Sequence, residues 1–514
     1  MRRFIATSIG VACTAALALP LTGSSPAVAA PSPEDPSVPG STRSLPLDPP
    51  SDRILGAVGE RSLIRREIEP FSLVGVVWDD ASAELHGTVQ VRTRATGTGT
   101  WSDWQDLQTH NGEHAADPDT AEGRSGRARG STAPLWVGDS DGIEVRVRAQ
   151  RAGGDSRRSA TPSPALPAGL RVELVDPGDG PSRPEAEAES GSEFGSESRS
   201  QARARGPRTA ALAALPEEPL ELPELDEEET LADAIAVTGG QVLGAAAQNA
   251  AEDAEDAAEV TAESAVETVA AIGAGTLAGD AVGAVTAVAG ALTGGSPGGV
   301  VQAGATLTGA AAGPYIGPRP RIVTRKGWGA DESLREGSFV YTSKIKAAFV
   351  HHSATGNNYT CAQAPSVLRG IYRYHVVSMG WRDFGYNFAV DKCGNIYEGR
   401  AGGVAEPVLG AHTLGFNANS MGIAVLGTYS DSTPSTSAVT AVARLTAWKL
   451  GLHGANPKGT TTLTSGGNKY PKGTKVRLNV ISGHRDGFAT ECPGSRLYSK
   501  LGTTRTESAG LQGR

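Results

Sequence analysis

The stretch "KAAFVHHSA", residues 346–354, decides the fold of the C-terminal part of this chain. Its apolar run predicts a buried strand, and the strand ends in two consecutive histidines, His351 and His352. Because neighbouring strand residues point to opposite faces of a sheet, only one of these imidazoles can reach a site at the strand end. The stretch therefore predicts a core strand and one candidate site residue.

Strand and helix patterns alternate around this stretch. The segment "SMGIAVLGTY" (420–429) predicts another buried strand, and "APSVLRGIYRYHVVSMG" (364–380) has the apolar spacing of a helix. The segment "YNFAVDKCGNIYEGR" (386–400) reads as strand, turn and strand. We therefore predict an α/β domain over residues 319–505, with a central mixed β-sheet flanked by helices, and a short tail at 506–514.

The N-terminal half predicts a different domain. Alternating apolar and polar residues in "TVQVRTR" (88–94) and "GIEVRVR" (142–148) indicate half-buried strands, and no clear helix interrupts them. Short strands separated by Gly, Asp and Pro favour a small all-β sandwich over residues 61–176, whose role the pattern does not reveal.

Three segments predict no packed core. Residues 1–29 have the basic start, apolar run and Ala27-Val28-Ala29 ending of a secretory signal peptide. Residues 30–60 are rich in Pro and Ser and predict a flexible lead-in. Residues 177–318 are acidic, then Ala/Gly-rich, and predict a long disordered linker. We therefore expect a secreted, cell wall-associated protein that does not stay inserted in a membrane after signal cleavage.

The charge is unevenly distributed along the chain. The whole sequence has a formal net charge of −9, whereas residues 319–505 carry 23 Lys and Arg against 10 Asp and Glu. A secreted basic domain is attracted to an anionic polymer such as a cell wall. Charge alone fits ordinary surface solubility equally well.

The cysteines raise a question about Cys492. Because Cys13 lies in the signal peptide, the mature chain keeps Cys361, Cys393 and Cys492. An odd number in an oxidising compartment requires an explanation. Cys361 precedes a predicted helix and Cys393 lies in a hairpin turn, so these two are the candidates for a disulfide.

Cys492 is then available for chemistry. It follows His484 by eight residues in "GHRDGFATECPG" (483–494), and one of the histidines at 351 and 352 is the best candidate for a third ligand. A catalytic zinc site uses three such ligands and keeps a fourth position for water. Spacing alone leaves other readings open, since buried histidines and cysteines are more often structural.

Four blocks in order extend this argument: "FVHHSAT" (349–355), "GWRDFGYNFAVDKCGNIYEGR" (380–400), "GAHTLGFNANSMGIAVLG" (410–427) and the segment 483–494. Together they resemble the peptidoglycan recognition protein / type 2 N-acetylmuramoyl-L-alanine amidase family. The resemblance covers residues 319–505 of 514. It implies an amidase that cleaves the bond between the lactyl group of muramic acid and L-alanine.

The resemblance implies roles for individual residues. One catalytic Zn²⁺ would be held by His351, His484 and Cys492. Tyr386 and Thr490 match catalytic positions, and His412 and Asn417 match residues that line the substrate groove. Arg400 and Trp381 are weaker candidates for substrate binding. We expect peptidoglycan as the partner, no nucleic acid, and a monomer.

One departure and two rival functions accompany this reading. After "YEGR" the chain continues "AGGVAEPVLGAHT", without the Gly-Trp pair that many members use to read the third stem residue, so no stem preference is implied. One rival is a non-catalytic peptidoglycan recognition protein, in which the cysteine ligand is typically missing. The other is a cysteine hydrolase with Cys492 as nucleophile, which leaves His351 and Tyr386 without a role.

Overall fold

The structure is a computed structural model that describes residues 40–47, 60–150, 165–180, 218–238 and 315–514. The predicted signal peptide and most of the predicted linker lie outside these residues. Within these ranges, the N-terminal part has eight strands: β1 Ser41–Pro46, β2 Glu60–Arg65, β3 Phe71–Trp78, β4 Gly87–Ala95, β5 Gln105–Leu107, β6 Gly130–Ser131, β7 Leu135–Ala149 and β8 Arg171–Asp176.

The predicted all-β character of the N-terminal domain is confirmed. Its strands form one antiparallel sheet of order β1-β8-β3-β7-β4-β5, in which the long strand β7 pairs with both β3 and β4. Strands on both sides of β7 share one core, which includes Val76 of β3, Val89 of β4 and Val172 of β8. The apolar positions of the alternating pattern are the buried ones, since Val89 and Val91 are fully buried.

The sheet extends beyond the predicted domain start. Residues Ser41–Pro46 form β1, which pairs antiparallel with β8, although they lie in the segment predicted as a flexible lead-in. The sequence "STRSLP" is short and polar, so its strand conformation depends on the hydrogen bonds that β8 offers.

In the C-terminal part, the described residues form nine strands and seven α-helices. The strands are β9 Glu221–Leu222, β10 Ile322–Val323, β11 Ala347–His352, β12 Phe388–Val390, β13 Ile396–Glu398, β14 Ser420–Val425, β15 Thr460–Thr464, β16 Lys475–Asn479 and β17 Ile481–Gly483. The helices are α1 Glu227–Thr238, α2 Arg325–Trp328, α3 Ala364–Arg373, α4 Thr436–Gly451, α5 His484–Gly487, α6 Ser495–Tyr498 and α7 Leu501–Leu511. A π-helical turn, Tyr374–Ser378, continues α3.

The predicted mixed sheet flanked by helices is confirmed. Its order is β17-β11-β14-β12-β13-β10-β9, with β11 parallel to β14 and β17, and β12 antiparallel to β13. Helix α4 packs on one face through residues such as Val442 and Leu445. Helix α3 packs on the other face through Val367 and Ile371, as its apolar spacing predicts.

Two segments differ from the predicted boundaries. Within the predicted linker, residues 218–238 add the edge strand β9 to β10 and form α1, whose Thr230 hydroxyl accepts a hydrogen bond from the Arg319 N–H at 2.8 Å. Most of the predicted tail belongs to α7, which packs on α4; the hydroxyls of Thr446 and Ser508 lie 3.1 Å apart. Both segments are polar or small-residue sequences whose order comes from packing on the domain.

The described residues belong to one compact unit. Among the helices in the described ranges, none combines the length and apolar character that a membrane crossing requires.

Candidate metal centre

Two parallel strands bring the predicted ligands together. Strand β11 carries His351 near its C-terminal end, and β17 runs directly into α5, whose first residue is His484. In the register of the two strands, Val350 pairs with Gly483, and a histidine follows each of these two residues in the chain. Cys492 follows in the loop before α6. The strand ends thus place His351, His484 and Cys492 at the same edge of the sheet.

A fourth side chain joins this cluster. His114 lies in the loop between β5 and β6, residues 108–129, in the N-terminal domain; we call this segment the β5–β6 loop. One possible ligand atom from each of His114, His351, His484 and Cys492 lies within 4.8 Å of the others, and all four residues are buried. The imidazole of His114 lies 4.5 Å from that of His484 between ring centroids.

The donor set fits a metal ion. Among the described residues, neither ring nitrogen of His114 or of His484 has a hydrogen-bond partner. Buried polar atoms without partners are costly, and they are rare in folded proteins. His351 directs Nδ1 to the Cys492 sulfur, 3.8 Å away, while its Nε2 lies 3.4 Å from the Thr413 hydroxyl. Imidazole and thiolate are the ligands that zinc prefers, and a hydrogen bond on the other ring nitrogen orients such a ligand.

Burial controls the protonation of these groups. It lowers the pKa of His351 and His484 well below the ordinary value, with the neighbouring imidazoles adding to the effect, and it lowers the pKa of His114 to about 3. The three imidazoles are therefore neutral, which is the form that binds a metal ion. Burial raises the pKa of the Cys492 thiol, so a thiolate there requires a nearby cation.

The side chains of His351 and His352 point to opposite faces of the sheet, as strand geometry predicts. His351 faces the cluster, whereas the His352 ring accepts a hydrogen bond from the Tyr429 N–H at 3.3 Å. The His352 backbone N–H points to the Cys492 sulfur at 3.4 Å. The first histidine is thus the one within reach of His484 and Cys492.

Both predicted catalytic residues border the cluster. The Tyr386 ring lies 5.2 Å from the His351 ring, and burial raises its pKa well above the ordinary value, so the phenol remains a proton donor. The Thr490 hydroxyl donates a hydrogen bond to the Glu113 carboxylate at 2.9 Å and accepts one from the Cys492 N–H at 3.1 Å. Glu113 belongs to the β5–β6 loop.

The predicted substrate-binding residues fall into two groups. His412 lies beside His351, 5.3 Å away between ring centroids, and Asn417 and Arg400 both contact the β5–β6 loop. Trp381 instead packs on His375 at 4.6 Å within the core on the α3 side of the sheet. The structure therefore places His412 beside His351, Asn417 and Arg400 under the β5–β6 loop, and Trp381 in the core.

The cysteines are divided as predicted. Cys361 and Cys393 form a disulfide with a Cα–Cα distance of 6.2 Å, which confirms that pairing, and Cys492 is free and fully buried. Helix α6 begins three residues after Cys492 and has only four residues. Because a nucleophilic cysteine needs a lowered pKa and access to substrate, the buried Cys492 thiol does not suit a cysteine hydrolase.

Sequence reasoning missed the β5–β6 loop. His114 stands 237 positions before His351, in a segment predicted only as part of a β domain. A histidine between acidic residues in "NGEHAAD" (111–117) is ordinary in a surface loop, and no motif links it to the later blocks. The length of the loop was the one available signal, because loops longer than about 12–15 residues in compact domains are usually functional.

Comparisons with known proteins match both domains. The family described as N-acetylmuramoyl-L-alanine amidase matches residues 341–495, and the one described as Rv3811 N-terminal galactose-binding domain-like matches residues 26–168. Peptidoglycan-recognition protein SC2 of Drosophila simulans is 31% identical over 182 residues, which cover 35% of this chain and 85% of that protein.

Solved structures of peptidoglycan recognition proteins also match part of this chain. The wild-type Drosophila PGRP-LB structure is 25% identical, and the match covers 35% of this chain and 92% of that one, with a TM-score of 0.29. Peptidoglycan recognition protein LE, solved in complex with tracheal cytotoxin, a monomeric diaminopimelic acid-type peptidoglycan, is 28% identical, with 35% and 92% covered and a TM-score of 0.28.

Proposed function

Because this chain belongs to the peptidoglycan recognition protein / type 2 N-acetylmuramoyl-L-alanine amidase family, we propose that residues 319–505 form a zinc-dependent amidase domain. Its reaction would hydrolyse the amide between the muramic acid lactyl group and L-alanine of peptidoglycan. One observation carries the proposal: the buried side chains of His351, His484 and Cys492 converge, and both ring nitrogens of His484 lack a hydrogen-bond partner within the described residues.

These three residues would hold the metal, with Thr413 orienting the His351 ring through its Nε2. When bound, zinc lowers the pKa of a coordinated water to near neutrality and polarises a carbonyl oxygen. The remaining requirement is a donor for the oxyanion that develops on the scissile carbonyl. That donor must come from the side chains beside the cluster.

Tyr386 supplies the best donor. Its buried phenol stays protonated, and its ring lies beside His351, so it can donate a hydrogen bond to an oxygen at the metal edge of the groove. The Thr490 hydroxyl, two residues before Cys492, is the second donor; it is engaged by Glu113 in this structure. Both groups act without changing their own charge.

The groove and the compartment fit the same substrate. Arg400 and Asn417 offer donors to the carboxylates and amides of a peptide stem. The Cys361–Cys393 disulfide supports an oxidising compartment, which agrees with the predicted signal peptide and with secretion to the cell wall.

A second function has one specific observation in its favour. His114 would complete a four-ligand set of three histidines and one cysteine, and four protein ligands are typical of structural zinc sites. In that case the domain would recognise peptidoglycan without cutting it.

Ligand variants test the metal centre. We expect the full chain to bind one zinc ion, and Cys492→Ser and His484→Ala each to lose it, because each removes a donor. His453→Ala is the matched control, since His453 is also buried but lies outside the cluster. The measurement is zinc per chain by elemental analysis after dialysis. Equal zinc in all four proteins would contradict the metal centre.

Hydrolysis separates the two functions. An amidase releases stem peptides with a new L-alanine amino terminus and creates no new sugar reducing ends. We expect Cys492→Ser to abolish this release in any form of the chain that shows it. Peptidoglycan binding without release, by the chain and by every variant that opens the site, would favour the recognition protein.

A further inference from the structure

The β5–β6 loop contacts the candidate site through four side chains, those of Glu113, His114, Asp117 and Glu122. Its His114 ring lies beside those of His351 and His484, at 5.3 and 4.5 Å between centroids, and His114 is only 6% exposed. Neither of its ring nitrogens has a hydrogen-bond partner within the described residues. A buried imidazole without a hydrogen-bond partner, with a ring nitrogen within 4.8 Å of the possible ligand atoms of His351, His484 and Cys492, has the geometry of a ligand itself.

Acidic residues of the same loop accept hydrogen bonds from side chains that the proposed function assigns to catalysis or substrate binding. Glu113 accepts the hydrogen bond of the Thr490 hydroxyl. Asp117 accepts one from the Asn417 side-chain amide at 3.0 Å and one from the Gly415 N–H at 2.6 Å.

Glu122 completes the pattern. It forms a two-pronged ion pair with Arg400, with distances of 2.9 and 3.0 Å, and both side chains are more than nine-tenths buried. Carboxylates of the loop thus take the positions on Arg400 and Asn417 that the carboxylates of a peptide stem would take.

The loop that makes these contacts belongs to the N-terminal domain, whereas Thr490, Asn417 and Arg400 belong to the C-terminal domain. A catalytic zinc site keeps one position open for water, whereas four protein ligands close it. A groove whose donors are already paired with acidic side chains also resists an anionic substrate, because these contacts must first be broken.

We infer that His114 is a fourth metal ligand and that the β5–β6 loop holds the amidase domain in a latent state. The inference rests on the proposed function for its consequence, but the ligand itself can be observed without any hydrolysis. Release of the loop would open the fourth ligand position and free Thr490, Asn417 and Arg400 together.

The coordination test uses the full chain loaded with Co²⁺, whose visible absorption reports its ligands. In the parent, added azide should leave the spectrum unchanged, because four side chains fill the coordination shell. In His114→Ala azide should shift the spectrum, and zinc should pass to a competing chelator at least about tenfold more readily than from the parent. His110→Ala, an exposed histidine of the same loop, should behave as the parent.

An azide response in the parent equal to that of His114→Ala would overturn the inference. If His114→Ala does not fold, Asp117→Asn combined with Glu122→Gln decides instead. That variant keeps every proposed ligand and weakens only the loop's hold on the groove, so it should show an azide response that the parent lacks. No difference between it and the parent would overturn the inference.

Hydrolysis distinguishes this inference from the proposed function. If His114→Ala releases peptides and the parent releases few, both the latent state and the amidase function are supported. A closed site in the parent, an open one in His114→Ala and no release by either supports the fourth ligand and contradicts the amidase. Full release by the parent, unchanged in His114→Ala, contradicts latency and supports the amidase.

Discussion

At the scale of single residues, the Tyr386→Phe variant tests whether the phenol hydroxyl stabilises the oxyanion, because it removes the hydroxyl and keeps the ring. The ring is buried between His351 and His114, at 5.2 and 5.8 Å between centroids. In the His114→Ala background we expect Tyr386→Phe to lower the hydrolysis rate by about 10²–10³-fold, the usual loss for one oxyanion donor. Zinc content and peptidoglycan binding should not change, because the ring remains.

Tyr372→Phe in the same background is the matched control. Its hydroxyl donates to the Asp331 carbonyl at 3.1 Å, away from the cluster, so the rate should stay near that of the background. Rates are measured as release of L-alanine-ended peptides at saturating substrate. A normal rate in Tyr386→Phe would show that another group stabilises the oxyanion.

At the scale of elements, helix α2 is joined to strand β13 through one acidic residue. The backbone N–H of Arg325 donates to the Glu398 carboxylate at 3.1 Å, and the Trp328 indole donates to the Glu398 carbonyl at 2.7 Å. Burial raises the pKa of Glu398 to about 7, against an ordinary value of 4.5, although Arg325 opposes the rise. The carboxyl is thus protonated in the folded protein at pH values where it is ionised in the unfolded chain.

This difference gives stability a pH dependence of known sign. Between about pH 4.5 and 7 the folded state binds more protons, so the free energy of unfolding should fall as pH rises, by about 3 kcal/mol at most. Glu398→Gln keeps an acceptor for Arg325 and cannot ionise, so it should reduce this slope and be more stable than the parent above pH 7. Urea unfolding at a series of pH values measures it.

Glu507→Gln, at an exposed position on α7, is the matched control and should keep the slope of the parent. Every other titrating group is the same in all three proteins, so it cannot produce a difference between their slopes. Parallel curves for Glu398→Gln and the parent would mean that Glu398 has no raised pKa in the folded state.

At the scale of the whole molecule, the two domains share a hydrophobic core. Leu73 and Val175 of the N-terminal sheet pack in the same cluster as Val367 of α3. The Tyr374 hydroxyl, in the π-helical turn after α3, donates to the Thr132 carbonyl of the other domain at 3.1 Å. This packing fixes the N-terminal domain on the C-terminal domain and so positions the β5–β6 loop against His351 and His484.

Gly75 of β3 permits this close approach. A Cβ at this position would lie 2.3 Å from the Tyr374 hydroxyl oxygen and 2.4 Å from two of its ring carbons. We therefore expect Gly75→Ala to force the domains apart or to displace Tyr374, and to destabilise the protein by about 1–3 kcal/mol, as overpacking typically does. The measurement is the midpoint of urea unfolding.

Gly502→Ala is the matched control. A Cβ at Gly502 would have no heavy atom within 4 Å, and alanine favours a helix more than glycine does. Its midpoint should equal or exceed that of the parent. Equal midpoints for Gly75→Ala and Gly502→Ala would mean that the domains do not pack through β3 and the π-helical turn.

Local patterns in the sequence determined the elements and the family. The apolar run before His351 predicted a buried strand, and the spacing of Val367 and Ile371 predicted a helix with one buried side; both elements are present. These are short-range properties, since the period of the apolar residues sets the element. Motifs in a fixed order then identified the family and predicted His351, His484 and Cys492, because the family's strand ends place those positions together.

The tertiary structure alone decided what has no local pattern. The order of residues 218–238, of β1 and of α7 depends on hydrogen bonds and packing offered by distant parts of the chain, and their own sequences are polar or rich in small residues. His114 meets His351 only because two domains pack around Gly75 and Tyr374. A contact between residues 237 positions apart leaves no periodicity in the sequence, so only the folded chain reveals that the N-terminal domain reaches the cluster of His351, His484 and Cys492.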